Sequence, residues 1–202
     1  MDIKVDHVSK AYGEQQILRD LCCVFPEGKT TCIRGRSGCG KTTLIRLLLG
    51  LDIPDKGKIE GISDRKISAV FQEDRLCENL SAASNIRLVC AKTISDRELE
   101  EAYKAVALTE VWQKPVRELS GGMRRRVSIL RALLADSDCV IMDEPLRGLD
   151  EKTRIKTIDY ILKKTEGKTL IFVTHEEQEA VWLKADETLK FMKDHLIKWS
   201  GK

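Results

Sequence analysis

Short apolar segments of strand length alternate with longer stretches of helical periodicity along this chain. Apolar runs at 66–71, 139–142 and 169–174 are predicted to be strands, and a polar residue directly follows each of them. The pattern predicts an α/β domain with a mixed, mostly parallel sheet, and such sheets place function at the carboxyl ends of their strands. Between the strands apolar residues recur at helical spacing, as at Leu99, Tyr103 and Val106, at Met123, Val127, Leu130 and Leu134, and at Ile155, Ile158 and Leu162.

The two ends of the chain are predicted to be β structure and the middle helical. Alternating residues at 3–8 predict an edge strand, and the turn at 26–29 leads into a strand at Thr30–Arg34, so that the start forms an antiparallel β layer. A short hairpin is predicted at 189–199, around Lys193 and Asp194. We expect one domain over 1–202, with 1–72 and 120–202 forming the α/β core and its β layer, and 73–119 forming an all-helical subdomain.

Composition describes a globular chain that can bury a core. Hydrophobic residues make up 42% of its 202 residues, a fraction that excludes a disordered chain. The 35 Lys+Arg against 32 Asp+Glu leave a net charge of only +3, which does not indicate a nucleic-acid-binding surface. No apolar run reaches the ~20 residues of a membrane span. The first residues lack the basic-then-apolar order of a signal peptide, so a cytoplasmic location is expected.

Seven cysteines, an odd number without a Cys-x-x-Cys pair, fit neither a disulfide framework nor a zinc site. They are interpreted as reduced thiols, mostly in the core. Cys39 lies near a lysine and a predicted helix start. It is therefore either a thiol with thiolate character, whose oxidation or alkylation would block binding at that helix start, or an inert small residue. His7 and His195 match no motif and are expected at the surface.

Residues 35–42 match the pattern G-x-x-x-x-G-K-[ST] between a predicted strand and a predicted helix. The pattern predicts a phosphate-binding loop, because its glycines turn successive backbone N–H groups inward and the helix start adds partial positive charge. Lys41 is expected to reach the terminal phosphates, and Thr42 to offer its hydroxyl to Mg²⁺. The candidate nucleotide-binding residues here are Gly35, Ser37, Gly38, Cys39, Gly40, Lys41, Thr42 and Thr43.

A second apolar strand ends in two carboxylates, Asp143 and Glu144. Burying two carboxylates costs free energy, so such a pair at the end of a buried strand indicates a functional role. Asp143 is expected to hold Mg²⁺, and Glu144 to orient or deprotonate an attacking water. Together with the phosphate loop, the pair predicts an enzyme that binds and hydrolyses a nucleoside triphosphate.

The segment Leu119-Ser120-Gly121-Gly122-Met123 precedes a predicted helix and then the Asp-Glu strand, and here the sequence resembles the ATP-binding cassette (ABC) ATPases. Ser120 is a predicted helix N-cap, and the glycines beside it offer free N–H groups to an anion. In that family this loop binds the γ-phosphate held by the other subunit. The resemblance implies a P-loop ATPase of ABC type, two copies of which sandwich ATP head to tail, with Ser120, Gly121 and Gly122 contacting the nucleotide of the partner.

Further family marks follow in order along the chain. Tyr12 stands where the family places an aromatic ring against adenine, and Gln72 where a glutamine touches Mg²⁺ and water. Asp150 matches the loop that crosses the dimer, and His175 matches the histidine that contacts the γ-phosphate and braces Glu144. The resemblance thus implies Glu144, His175 and Gln72 as catalytic residues and Thr42, Gln72 and Asp143 as Mg²⁺ ligands.

The sequence departs from the family pattern at three places. Met123 stands where Gln is usual, Thr43 where Ser is frequent, and Arg147-Gly148 where Ser-Ala is common. None of these changes removes a ligand of ATP or Mg²⁺. The glycine does loosen the loop that signals across the dimer.

The Arg-rich turn after Ser-Gly-Gly-Met, the segment 70–76 and the residues 179–181 resemble importer subunits for nitrate, taurine and aliphatic sulfonates. That resemblance implies a separate transmembrane permease, an extracytoplasmic solute-binding protein, and a chain that is peripheral on the inner face of the membrane. A cassette ATPase that gates a non-transport membrane or cell-envelope complex, or an exporter subunit, has the same ATP residues, and both alternatives stay open.

Overall fold

The computed structural model describes residues 1–90, 94–109, 111–192 and 195–198. The first half contains β1 (Ile3–Tyr12), β2 (Gln15–Phe25), β3 (Thr30–Arg34), α1 (Lys41–Leu48), β4 (Lys56–Glu60), β5 (Ile67–Val70), α2 (Ala82–Arg87) and α3 (Asp96–Ala105). After a 3₁₀ turn at Val116–Glu118 come α4 (Gly121–Leu134), β6 (Cys139–Asp143), α5 (Glu151–Thr165), β7 (Thr169–Thr174), α6 (Glu177–Trp182), β8 (Glu187–Met192) and β9 (His195–Lys198).

The strands form two sheets. Strand β1 lies between β2 and β4 in a three-stranded antiparallel sheet, and a six-stranded sheet runs in the order β5-β6-β7-β3-β8-β9. The larger sheet is parallel except for its last pair, β8 and β9. The predicted α/β class with a mixed, mostly parallel sheet is therefore confirmed, and the carboxyl ends of β3, β5, β6 and β7 meet at one edge.

Two predictions about the start of the chain are wrong. Strand β1 is the central strand of the antiparallel sheet and not an edge strand. Thr30–Arg34 does not belong to the antiparallel layer, because it pairs in parallel with β7 and β8 in the middle of the larger sheet. Its three central residues are all buried, as expected of a strand that is covered on both faces.

The core has two parts, one on each face of the parallel sheet. In β6, Val140 and Met142 join a cluster with the helical middle of the chain, α4 and α5, while Cys139 and Ile141 join a cluster with the antiparallel sheet and α1. This division follows from the alternation of side chains along a strand. Both faces being covered explains why β6 is apolar without interruption.

The predicted helices and the closing hairpin are present in the described residues. The segment 73–119 contains α2, α3 and the 3₁₀ turn, with an isolated bridge between Ser81 and Pro115 as its only β contact among described residues. Strands β8 and β9 pair antiparallel as the hairpin prediction requires. Lys193, Asp194 and Trp199, which that prediction includes, lie outside the described residues. None of the helices in the described part of the chain combines the length and apolarity needed to cross a bilayer.

Candidate functional site

The phosphate loop connects the end of β3 to the start of α1, as its sequence pattern predicts. Gly38 and Gly40 have φ angles of +77° and +103°, which L side chains rarely adopt. A Cβ at Gly40 would lie 2.7 Å from Cδ2 of Leu18 in β2. The glycine at this position is therefore required both by the turn and by the close approach of the antiparallel sheet.

The Lys41 ammonium is held at the mouth of this loop. Its Nζ donates hydrogen bonds to the carbonyl oxygens of Gly35 and Arg36, each at 2.8 Å, and lies 3.8 Å from Sγ of Cys39. The side chain belongs to the first residue of α1, whose N-terminus adds its own partial positive charge. The loop thus presents a fixed cation beside backbone N–H groups, which is the chemistry that binds a phosphate.

Thr42 and Asp143 meet across the end of the sheet. The Thr42 hydroxyl donates to Oδ2 of Asp143 at 3.3 Å, and Asp143 is 4% exposed at the end of β6. Burial raises the pKa of the Asp143 carboxyl, with the hydrogen bond from Thr42 acting in the opposite direction. A buried carboxylate beside a hydroxyl is an all-oxygen donor set, and it fits Mg²⁺, which prefers oxygen ligands and is bound through one or two carboxylates.

Glu144 occupies an unusual backbone position directly after β6. Its φ of +48° lies in the left-handed region, and its N–H donates to the carbonyl of Val173 in β7 at 2.9 Å. Strain of this kind in a non-glycine residue is typical of functional sites. The Glu144 side chain points between His175, whose Nδ1 is 3.1 Å from Oε1, and Arg147, whose Nη1 is 3.4 Å from Oε2.

A single cleft of about 880 Å³ collects most of the predicted site residues. The cleft is also lined by residues that were not among the predicted site residues, namely Gln15, Ile17, Leu146, Arg147, Gly148, Arg154 and Glu176. The predicted residues that line the cleft are Tyr12, Ser37, Gly38, Gly40, Lys41, Thr42, Thr43, Gln72, Asp143, Glu144 and His175.

The other predicted site residues do not line this cleft. Gly35 and Cys39 line an adjoining pocket with Phe191 of β8, and His175 borders both pockets. Cys39 is a half-buried free thiol. The remaining predicted residues, which lie at the starts of α4 and α5, are Ser120, Gly121, Gly122 and Asp150.

Ser120 and Asp150 act as helix N-caps within this chain. The Ser120 hydroxyl accepts a hydrogen bond from the N–H of Met123 at 3.3 Å, and the Asp150 carboxylate accepts one from the N–H of Thr153 at 3.1 Å. The Thr153 hydroxyl also donates to Asp150, and this hydrogen bond holds the pKa of that carboxyl below its usual range. A Cβ built on Gly122 would lie 3.3 Å from the carbonyl oxygen of Gly148, so the two loops are close neighbours.

Tyr12 borders the cleft at the end of β1. Its ring is nearly half exposed, and its hydroxyl donates to the carboxylate of Asp52. Asp52 also accepts from the guanidinium of Arg46, and this pair holds the pKa of Asp52 at about 2. The Tyr12 ring is therefore fixed at its hydroxyl and presents an open aromatic surface to the cleft.

Sequence reasoning missed Arg125, which connects the strand ends that carry the site. Its buried guanidinium donates to the backbone carbonyl oxygens of Phe71, Asp143 and Glu144, and it lies 3.3 Å from Oδ1 of Asp74. A further hydrogen bond reaches the carbonyl of Pro145 at 3.3 Å. The sequence signal was present as three consecutive arginines at 124–126, but it indicates only a basic helix start and not which of the three reaches the strand ends.

The loop after β3, the oxygen pair of Thr42 and Asp143, and the Glu144–His175 pair define a P-loop nucleoside-triphosphatase site at the carboxyl edge of a parallel sheet. A family model described as "ABC transporter" matches residues 18–147. The chain therefore belongs to the ABC transporter family, and it is an ATP-binding cassette ATPase domain.

Two curated relatives are named spermidine/putrescine import ATP-binding protein PotA. The one from Fusobacterium nucleatum is 37% identical over 198 residues, which cover 89% of this chain and 52% of that protein. The one from Bacteroides thetaiotaomicron is 35% identical over 217 aligned positions, which cover 98% of this chain and 46% of that protein. The chain thus spans about half the length of these relatives. Their names describe spermidine/putrescine import, and they do not support the predicted nitrate, taurine and sulfonate branch.

Solved structures agree with the fold. A dimeric post-hydrolysis state of the ATP-binding cassette MJ0796, bound to ADP and Pi, has a TM-score of 0.85 and 27% identity, and the match covers 99% of this chain and 100% of that one. A bacterial Atm1-family ABC exporter with ATP bound has a TM-score of 0.86 at 24% identity, over 97% of this chain and 38% of that one, a likeness that concerns the fold alone.

Proposed function

We propose that this chain is the ATP-hydrolysing subunit of a membrane transporter, in which two copies close head to tail around ATP and drive a separate permease. The observation that carries the proposal is the convergence of Thr42, Asp143, Glu144 and His175 on one cleft beside the phosphate loop. These residues come from the start of α1 and from the ends of β6 and β7, and together they supply the groups that phosphoryl transfer to water needs.

In the proposed reaction, the loop N–H groups and Lys41 bind the phosphates, and the Tyr12 ring packs against the base. Thr42, Asp143 and Gln72 are the residues that would hold Mg²⁺, which supplies neutralisation of phosphate charge when bound. Glu144 accepts a hydrogen bond from the attacking water and polarises it. His175 fixes the Glu144 carboxylate through the 3.1 Å contact of Nδ1 with Oε1.

The start of α4 supports closure against a second copy. This helix has 14 residues, and its first turn contains no acidic side chain that would compete with an anion. A Cβ built on Gly121 meets no atom within 4 Å, so packing inside one chain does not require the glycine there. We infer that Ser120, Gly121 and Gly122 contact the γ-phosphate bound by the partner copy, and that Asp150 lies at the same interface.

Two substitutions separate binding from hydrolysis. Glu144→Gln keeps the size of the side chain but removes the charge that polarises water, so we expect turnover to fall by 10²-fold or more while ATP still binds. Lys41→Ala is expected to abolish ATP binding itself. Filter binding and phosphate release measure the two steps, and Glu166→Gln, an exposed glutamate at the end of α5, is the matched control. Normal phosphate release by Glu144→Gln contradicts the assignment.

A third substitution tests the dimer. Gly121→Trp adds a large side chain where a single copy has open space. We therefore expect the variant to have the same melting temperature as the parent protein. In the Glu144→Gln background, however, it is expected to abolish the ATP-dependent dimer seen by light scattering. An undiminished dimer would remove the start of α4 from the interface.

The partner is tested by co-purification. We expect tagged Glu144→Gln chain, expressed in its native cell and solubilised with ATP and Mg²⁺, to recover a polytopic permease from the inner face of the cell membrane, where the chain would be peripheral. The relatives' names make a polyamine the first solute to test, in uptake assays with labelled spermidine. An extracytoplasmic solute-binding protein in the same fraction supports import. Recovery of an export system or of a non-transport envelope complex contradicts import and leaves the ATPase assignment intact.

A further inference from the structure

A β-bulge in the antiparallel sheet brings three metal-binding residue types to one face. Val5 pairs with Cys23 and Val8 pairs with Leu21, so that Asp6 and His7 on β1 together oppose Cys22 on β2. In a regular strand consecutive residues point to opposite faces. Here the bulge places Asp6, His7 and Cys22 all on the exposed face of the sheet.

The side chains within this bulge lie close enough to share one ion. One ligand atom from each of Asp6, His7 and Cys22 lies within 4.8 Å of the other two. Nε2 of His7 is 3.9 Å from Oδ1 of Asp6, and Sγ of Cys22 accepts a hydrogen bond from the His7 backbone N–H at 3.3 Å. Tetrahedral coordination at zinc bond lengths needs ligand atoms about 3.3–3.8 Å apart, a contraction that exposed side chains achieve by small rotations.

Asp20 prepares the His7 ring for this role. Its Oδ1 accepts a hydrogen bond from Nδ1 of His7 at 2.7 Å, which places the proton on Nδ1 and leaves Nε2 as the lone-pair nitrogen. A carboxylate on the far nitrogen is the usual outer partner of a metal-bound histidine, where it fixes the tautomer and the ring orientation. The same nitrogen, Nε2, is the one that lies toward Asp6.

The backbone around the cluster is held in unfavourable conformations. His7 and Asp20 have φ angles of +50° and +49°, and the Asp20 N–H donates to the Ser9 hydroxyl at 3.0 Å. On the other side of β1, a Cβ at Gly57 would lie 2.3 Å from the carbonyl oxygen of His7, so β4 packs directly against the bulge. Left-handed conformations in non-glycine residues cost free energy and are typical of functional positions.

We propose that Asp6, His7 and Cys22 form a binding site for a zinc-class divalent transition metal, with Asp20 as the positioning residue of His7 and water as the fourth ligand. The Cys22 thiol releases its proton to solvent on binding, because the thiolate is the ligand form. Lys58, which is opposite Asp6 in β4, is paired with Glu60 at 2.7 Å and leaves the Asp6 carboxylate available. The site is independent of the proposed transport function.

The donor set distinguishes this site from the nucleotide cleft. A thiolate and an imidazole suit Zn²⁺, Co²⁺ or Ni²⁺, whereas Mg²⁺ prefers oxygen ligands. The cysteine spacing of the sequence argued against zinc because it contains no Cys-x-x-Cys pair. The bulge supplies the neighbours from two strands instead, so a scan for local spacing would not find the site.

The test is metal titration of the full, tag-free chain without nucleotide. We expect Co²⁺ to bind one site per chain with a near-ultraviolet thiolate charge-transfer band, and Zn²⁺ to displace it. Cys22→Ser is expected to abolish the band, and Asp20→Ala to weaken binding by about 10–100-fold, as loss of an outer partner does. Asp20→Asn, which keeps an acceptor oxygen for Nδ1–H, is expected to restore most of the affinity.

Cys77→Ser is the matched control, because Cys77 is also an exposed free thiol but lies outside the cluster. Its band and affinity are expected to equal those of the parent chain. A band that survives in Cys22→Ser assigns the thiolate to another cysteine and overturns the proposal. Unsaturable binding that is equal in the parent and in His7→Ala reveals an adventitious ion only, and overturns it as well.

Discussion

Replacing Arg125 by Met tests how strongly one buried side chain holds together the strand ends that carry the proposed catalytic residues. The Arg125 side chain is 5% exposed, and its guanidinium donates to the carbonyl oxygens of Phe71, Asp143, Glu144 and Pro145. Methionine is a flexible apolar side chain that fills much of the same space but has no N–H donor. The substitution therefore removes the hydrogen bonds while limiting the cavity that it creates.

The expected loss follows from the hydrogen bonds. At about 1 kcal/mol net for each hydrogen bond to the carbonyls of these four residues, the free energy of unfolding falls by about 4 kcal/mol. A domain of this size loses about 2–4 °C of melting temperature per kcal/mol, so we expect a decrease of about 8–16 °C. Stabilities of about 5–15 kcal/mol are usual, and the variant should still fold.

The activity should fall as well, because the acceptors of Arg125 adjoin the proposed catalytic positions. Phe71 precedes Gln72, and the Glu144 carbonyl belongs to the residue proposed to polarise water. A misplacement of about 1 Å at such a position costs on the order of 10²-fold in rate. We expect kcat of ATP hydrolysis to fall far more than the affinity for ATP. The phosphate loop connects β3 to α1, and none of the described hydrogen bonds of Arg125 reaches either element.

The assays are thermal unfolding by circular dichroism and steady-state ATP hydrolysis, with Arg124→Met as the control. Arg124 is the preceding residue on α4, and it is only half-buried. Equal melting temperatures and equal kcat values for the two variants would refute the reasoning. A stable Arg125→Met protein would mean that water replaces the lost donors without cost.

Three further predictions follow from the site and its surroundings. Gly40→Ala is expected to cost about 2–5 kcal/mol, because it combines a strained positive φ with a Cβ 2.7 Å from Leu18, and urea denaturation measures the loss. Glu144→Gly should unfold at a higher urea concentration than Glu144→Ala, because glycine adopts the φ of +48° without the steric cost that alanine has there, and equal midpoints would contradict the strain. Asp52 has a folded pKa of about 2, below its usual 3.8, because Arg46 hydrogen-bonds the carboxylate. A group with a lowered pKa stabilises the fold above its unfolded pKa, so this contribution is lost as pH falls from about 4 to 2, and Asp52→Asn should flatten that part of the acid-unfolding curve.

Much of the site could be predicted because its residues are neighbours in sequence. The phosphate loop depends on closely spaced glycines and Lys41, and the Asp-Glu pair on adjacent residues after one apolar strand. The placement of Thr30–Arg34 was wrong because its partners β7 and β8 come from the far end of the chain. Local pattern cannot distinguish a short buried strand of a parallel sheet from one that continues an antiparallel layer.

The sequence by itself determined the class of this protein, its phosphate loop, its Asp-Glu strand and its helical middle, since each depends on backbone conformation or periodicity within a few residues. Only the tertiary structure decided which of three arginines bonds the strand ends, that Arg147 lies beside Glu144, and that Asp6 and His7 share a face with Cys22. These contacts depend on strand order and on a bulge, and so on packing between segments distant in the chain. Long-range packing selects among arrangements that local propensity leaves equal.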